Sequence, residues 1–304
     1  MPSQYFRFCA RPAGELTRSD LLERMLARAD EYVAAPDWRA EAFDLIAAPG
    51  EALPGLAAAA LYPVSGADAC AWVLFATPVR YVAEISDVRM AADAIISLSG
   101  EEAAALASDF NQVWHDAGMR LSVGKANRLY CRVDRPLPAE THDPMSSLDR
   151  RIAEFLPAGA GAGALRRLMS EVEMWLFEHQ VNQARVRGGA AAIDGLWLWG
   201  GGPPLTAMPV LRGWTAGDDP FFDTFSLDAG CPSNASGVIT VADVPGSPSW
   251  REAEVRWLEP AVKQLRTGRL ERLHFSWGTR RCTVSARGLR RFWRRSRPWW
   301  EYPA

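Results

Sequence analysis

The segment that most restricts the fold lies late in the chain. Residues 238–244 (VITVADV) form a short apolar run with the character of a buried strand. Residues 252–265 follow as an amphipathic helix, and residues 270–275 as a second strand. Two strands joined through a helix of this length form a parallel α/β crossover, because a tight turn can join only antiparallel neighbours. A final strand over 281–285 and a short helix over 286–295 complete this part of the chain.

The middle of the chain has a different grammar. Residues 72–84 (WVLFATPVRYVAE) and 90–97 are strand-like, with Pro78 as a bend in the first. Ser99-Gly-Glu-Glu then opens a helix, since the Ser99 hydroxyl can accept backbone N–H bonds and Glu101 and Glu102 suit the positive helix end. That helix runs to about Ala117 and stops at Gly118, and strands follow over 119–123 and 128–133. Residues 70–135 are thus a strand–strand–helix–strand–strand module of α+β type. A Pro-rich link over 134–145 follows. Near the N-terminus, residues 17–33 carry a helical stripe of Leu21, Leu22, Met25, Leu26 and Ala29, with Thr17 or Ser19 as its cap. A shorter helix is expected over 38–46.

Composition narrows the class. The chain has 304 residues, 48% hydrophobic and 23% charged, with a net charge of -2, as expected for one large or two moderate globular domains. No apolar run reaches the roughly 18 to 20 residues of a membrane span, and the N-terminus lacks a signal-peptide stretch, so the expected location is the cytoplasm. Cys9, Cys70, Cys131, Cys231 and Cys282 are scattered without CxxC spacing, which argues against a disulfide framework and against a zinc site.

Residues 165–204 carry the densest chemistry. Leu168, Val172, Trp175 and Leu176 share a helical face that His179 continues, and Asn182 and Arg185 follow at three-residue steps if the helix persists. Gly188-Gly189 ends it, and residues 193–199 read as a buried strand leading into Gly200, Gly201 and Gly202. Two readings stand side by side. His179 is either a core histidine satisfied by a backbone carbonyl or a ligand contact. The glycines are either a tight strand exit beside a second backbone or part of an anion site.

Tests for known catalytic motifs are negative. His115, His142, His179 and His274 are isolated, with none of the spacings that hold a catalytic metal. No GxSxG elbow is present, and Gly200-Gly-Gly lacks the Lys-Ser/Thr of a phosphate loop and runs into Pro203-Pro204. Neither a metal nor a cofactor is expected. One charge run remains: Arg290, Arg291, Arg294 and Arg295, interleaved with Phe292 and Trp293. Its composition is that of a nucleic-acid contact, or of a solvated basic face.

The central block carries a family likeness. His179-Gln-Val-Asn182-Gln-Ala-Arg185-Val-Arg-Gly-Gly189, followed by Leu196-Trp-Leu-Trp-Gly-Gly-Gly, resembles the signature of the RpfE-type regulatory proteins of proteobacteria. The same block is similar to that of the archaeal-type cofactor-independent phosphoglycerate mutases. Ile96-Ser-Leu-Ser-Gly-Glu-Glu-Ala resembles the helix opening in their inserted lid-like domain, His142-Asp143-Pro144 their DPH turn, and the stretch from Pro54-Gly55 to Gly66 their PGSD…GYDP segment.

The likeness implies an α/β fold: a degenerate alkaline-phosphatase-like core over 1–69 and 196–304, with an inserted α+β domain over 70–195. It implies ligand contacts at His179, Asn182, Arg185, Arg187, Trp197, Trp199, Gly200, Gly201 and Gly202, and a small anion or a regulatory protein as partner. The chain departs from the mutases in lacking an N-terminal DG-x-x-D, and Leu273-His-Phe-Ser stands where a metal-binding DH pair belongs. The expectation is a non-catalytic regulatory or binding protein. An active phosphomutase and a nucleic-acid-binding protein are the alternatives.

Overall fold

The computed structural model describes residues 2–9, 18–63, 70–226, 235–243, 245 and 247–302. The sequence expectations for Thr17, Gly66, Cys231 and Val244 lie outside the described residues. In chain order the elements begin with β1 (Ser3–Phe8), α1 (Asp20–Ala27), β2 (Glu31–Ala34), α2 (Trp38–Ile46) and α3 (Leu56–Ala60). There follow β3 (Trp72–Ala83), β4 (Val88–Ile95), α4 (Gly100–Trp114), β5 (Met119–Val123), β6 (Leu129–Val133) and α5 (Pro144–Ser147). Next are α6 (Ala162–Glu178), α7 (Gln180–Arg187), β7 (Gly195–Gly202), β8 (Trp214–Gly217) and β9 (Gly237–Val241). The chain closes with α8 (Pro248–Ala253), α9 (Glu259–Arg266), β10 (Arg272–Trp277) and β11 (Arg280–Ser285).

This mixed α/β chain divides into two compact units, Met1–Leu53 with Pro209–Ala304, and Pro54–Met208. The first is built on a six-stranded sheet in the order β2-β11-β10-β1-β9-β8. The strands β8, β9, β1 and β10 run parallel, β11 pairs antiparallel with β10, and β2 pairs antiparallel with β11 at the edge. The two strands of the expected crossover, β9 and β10, are both parallel to β1, which lies between them. Alternation sets the faces of this sheet. Phe6, Phe8, Ile239, Leu273, Phe275, Cys282 and Val284 join Leu22, Met25 and Leu26 of α1 and Val262 and Leu265 of α9 in one apolar core. Tyr5, His274, Ser276 and Thr283 alternate with them and are also buried.

Several elements differ from their local sequence patterns. The first helix ends at Ala27, although Ser19 Oγ does accept from the Leu22 N–H at its start. Residues 31–34 are instead pulled into the sheet by β11, and just before them the Asp30 N–H donates to the Thr283 carbonyl at 2.7 Å. The helix expected over 252–265 begins earlier, at Pro248, and passes through a π turn at Glu254–Leu258 before α9. Pro260, which has no N–H to donate, stands in the first turn of α9. The helix expected over 286–295 is only a short 3-10 turn, Gly288–Arg290.

In the Pro54–Met208 unit β3 is the hub of an antiparallel sheet. Its first residues pair with β6, its last with β4, and Val73 to Val79 with β7, while β5 extends the sheet beyond β6. The β7 pairing puts residues 196–202 in this unit, whereas the expected division at 195/196 assigned them to the core. The α4 start is a full capping box: Ser99 Oγ accepts from the Glu102 N–H at 3.1 Å, and Glu102 Oε2 accepts from the Ser99 N–H at 2.8 Å. Among the described residues no helix is long and apolar enough to cross a membrane.

Candidate functional site

The block singled out in the sequence is a helix, a break, a second helix and a strand. Leu165, Leu168, Val172 and Leu176 form the buried stripe of α6. The helix does not run on through His179, whose φ of -69° and ψ of 138° are extended. His179 caps the next helix instead, its Nδ1 accepting from the Val181 N–H at 3.2 Å. That bond leaves the ring proton on Nε2, which faces Asp109 Oδ2 at 3.2 Å. The same carboxylate oxygen accepts from Gln180 Nε2 at 3.2 Å. The imidazole is thus bonded by a backbone amide and lies beside a carboxylate, where a core histidine was expected to be satisfied by a carbonyl.

Asn182 works as a staple. Its amide nitrogen donates to the carbonyls of Leu176 and Ile193, each at 2.8 Å, and its oxygen accepts from the Ile193 N–H at 2.8 Å. It ties the end of α6 to the residues leading into β7. Arg185 is similarly committed, with Nε donating to the Ala191 carbonyl at 2.7 Å and a terminal nitrogen 2.7 Å from Glu102 Oε1. Glu102 lies below its ordinary carboxylate value: partial burial works against that shift, and the Ser99 and Arg185 hydrogen bonds outweigh it. Arg187 is exposed and donates from Nε to the Gln183 carbonyl at 3.2 Å.

The tryptophans and glycines are packing residues. Trp197 is buried and its indole N–H donates to the His142 carbonyl at 2.7 Å. Trp199 donates to Thr77 Oγ1 at 2.9 Å and stacks on Phe75 with ring centroids 4.7 Å apart. A Cβ on Gly202 would lie 2.5 Å from the Gly55 Cα, so two backbones touch where α3 begins against β7. A Cβ on Gly201 would meet the Trp72 indole nitrogen at 2.5 Å. Gly200 has a φ of +64°, a conformation that suits glycine, and its N–H donates to Thr141 Oγ1 at 3.1 Å. The strand-exit reading of the glycines is the one this packing matches.

Of the nine candidates, Asn182 and Arg187 line an open groove of ≈ 1210 Å³ on this unit, and the other seven do not. Its floor carries groups that sequence reasoning missed: Tyr81, Glu173 and Asp194. Asp194 Oδ2 accepts from the Tyr81 N–H at 2.7 Å. Partial burial and, secondarily, the charge of Asp194 raise the Glu173 carboxyl above its usual value. Burial, then the charges of Glu173 and Asp194, raise the Tyr81 phenol as well. A sequence signal for this groove did exist. Met174 and Phe177 lie off the buried stripe of α6, so a helix packed only through that stripe leaves them in water.

Elsewhere the polar groups are dispersed. His274 lies within β10, with Nδ1 2.8 Å from an Arg281 guanidinium nitrogen and 3.0 Å from Thr283 Oγ1. Burial, then the charges of Arg281 and Arg272, push it down to about 3, so the ring is neutral at ordinary pH. His142 Nδ1 sits 3.2 Å from the Phe155 carbonyl, and His115 is exposed beside Asp116. Among the described residues no group of three or more His, Cys, Asp or Glu side chains converges as metal ligands would. Arg291 pairs with Asp30 at 2.8 Å and Arg294 donates to the Ala29 carbonyl at 3.0 Å, while Arg290 and Arg295 are exposed.

Comparison with known proteins adds a distant similarity. No protein-family model matches the chain. Over 112 residues, 37% of its length, it is 30% identical to a 2,3-bisphosphoglycerate-independent phosphoglycerate mutase of Methanothrix thermoacetophila. It is distantly similar to the cofactor-independent phosphoglycerate mutases. The match spans 28% of that mutase, little more than a quarter of its length. Among solved structures, the cofactor-independent phosphoglycerate mutase from Thermoplasma acidophilum aligns with a TM-score of 0.35 at 13% identity, over 92% of this chain and 89% of that one. The PH0037 protein from Pyrococcus horikoshii aligns with a TM-score of 0.37 at 12% identity, over 93% of this chain and 87% of that one.

Proposed function

We propose that the chain is a non-catalytic regulatory or ligand-binding protein of the cytoplasm, of the RpfE type, derived from a phosphoglycerate-mutase-like scaffold. Its α/β core is then a degenerate form of the alkaline-phosphatase-like fold, and the α+β portion is the inserted lid-like domain. The observation that supports this reading is how the signature block spends its polar atoms. Asn182 closes the chain between α6 and β7, and Arg185 binds Glu102 and a carbonyl. The two indole N–H groups are satisfied within the fold. A guanidinium that already faces a carboxylate must give up that pair before it clamps a phosphate. A block used this way keeps a scaffold together and transfers no phosphoryl group.

A turnover assay tests the proposal. The full chain, supplied with magnesium or manganese and with 3- or 2-phosphoglycerate, should give no interconversion above the protein-free rate. Turnover that disappears in His179→Ala, with the fold intact by circular dichroism, would establish the enzyme instead.

A further inference from the structure

Two surfaces of this chain are apolar, charged and open to water, and their charges are opposite. The first is the groove on the Pro54–Met208 unit. Met174, Phe177 and Val186 along it are 68%, 84% and 61% exposed. Large side chains clustered in solvent to this degree mark a contact surface rather than ordinary surface scatter. The groove is also acidic, since Glu173, Glu178 and Asp194 line it against the single cation Arg187. Among the described residues Glu173 makes no hydrogen bond or ion pair, and the Tyr81 hydroxyl beside it makes no hydrogen bond.

The second surface is the segment 290–295 on the other unit. Arg291 and Arg294 anchor it through Asp30 and the Ala29 carbonyl. The residues between them turn outward. Phe292 and Trp293 are 78% and 66% exposed, packed edge to face on each other at 5.4 Å. Arg290 and Arg295 flank them, exposed and without an ion pair among the described residues. Tryptophan with arginine on an open surface is the composition of interface anchors.

We infer that this protein self-associates, the acidic apolar groove of one copy receiving the Arg290, Phe292, Trp293 and Arg295 surface of a second copy. The aromatic pair supplies the apolar area that Met174, Phe177 and Val186 lack, and the guanidinium groups meet Glu173 and Asp194. A guanidinium placed there offsets the lost hydration and like-charge repulsion that now disfavour the ionised Glu173 carboxylate. Each such contact covers the groove of one copy and the arginine segment of the other. A nucleic acid bound to the arginine segment would leave the groove uncovered.

The test is the mass of the full-length chain by sedimentation velocity across a concentration series. The expected result is a mass that rises above that of one chain with concentration and falls back as salt is added. Trp293→Ala and Glu173→Arg should each raise the dissociation constant about tenfold or more, the effect of removing one interface anchor. The paired change Arg290→Glu with Arg295→Glu should do the same. Glu173→Arg combined with that pair, which exchanges the charges, should restore association. All these side chains are exposed, and circular dichroism confirms that each variant is folded. A single-chain mass at every concentration overturns the proposal, as does association that none of the variants weakens. Retention of single-stranded DNA or RNA that depends on Arg290 and Arg295, by a chain that stays monomeric, assigns the segment to nucleic acid instead.

Discussion

Replacing Gly202 by alanine separates the two readings of the glycine run. The new Cβ would lie 2.5 Å from the Gly55 Cα, where ordinary contact begins at 3.4 Å, so two stretches of backbone must part by 0.9 Å (3.4 − 2.5). Both contacting atoms belong to main chain, and no rotamer change relieves them. The φ of Gly202 is not among the positive values of this chain, so packing alone sets the penalty. Forcing one methyl into a close-packed contact costs about 1–3 kcal/mol. Urea unfolding should show that loss, with faster hydrogen exchange in β7 and at the start of α3. Gly55→Ala meets the same contact from the other side, at 2.6 Å. The double variant should therefore cost less than the sum of the singles, because the first separation makes room for the second methyl. Gly201→Ala meets a tryptophan side chain that can shift, and its penalty should be smaller. A Gly202→Ala chain within about 0.5 kcal/mol of the parent, or strictly additive penalties, would refute the close-approach argument.

Two further outcomes follow from named groups. Asn182→Ala strands the Ile193 N–H and the carbonyls of Leu176 and Ile193, and should lower stability by about 2–4 kcal/mol, read by urea unfolding. A loss below about 0.5 kcal/mol would show that water replaces the staple. His274 is held near 3, below its ordinary value of 6.5, so protons bind the unfolded chain more readily than the folded one. Its contribution is complete above pH 6.5 and is lost as pH falls through the window from 6.5 to 3, with roughly 2 kcal/mol gone by pH 5. His274→Gln should flatten that part of the stability–pH curve, and parallel curves for parent and variant would contradict the assignment.

What the sequence determined by itself is local. Ser99 and Glu102 sit three residues apart and close a capping box whatever surrounds them. Trp38–Ile46 was legible as a helix, and the strands of 70–135 by their composition, because these signals reside within a few consecutive residues. Even the parallel relation of β9 and β10 followed from the helix between them. Tertiary structure decided what depends on distant partners. The strand β1, with the sequence SQYFRF, becomes a central strand only because β9 and β10 supply both of its neighbours. Residues 31–34 leave a helical pattern because the edge of β11 offers them backbone bonds.

The candidate site divides along the same line. The block from His179 to Gly202 stood out in the sequence, yet the side chains of Asn182, Arg185, Trp197 and Trp199 turned out to be bonded within the fold. Which hydrogen bonds an Asn or Arg makes depends on carbonyls and carboxylates far away in sequence, such as Glu102 for Arg185. The groove had no motif at all. Tyr81, Glu173 and Asp194 are separated by 92 and 21 positions (173 − 81 and 194 − 173) and meet only where α6 lies beside β3 and the approach to β7. A helix reports its buried stripe through its own periodicity, but what its opposite face meets is set by the chain that folds around it.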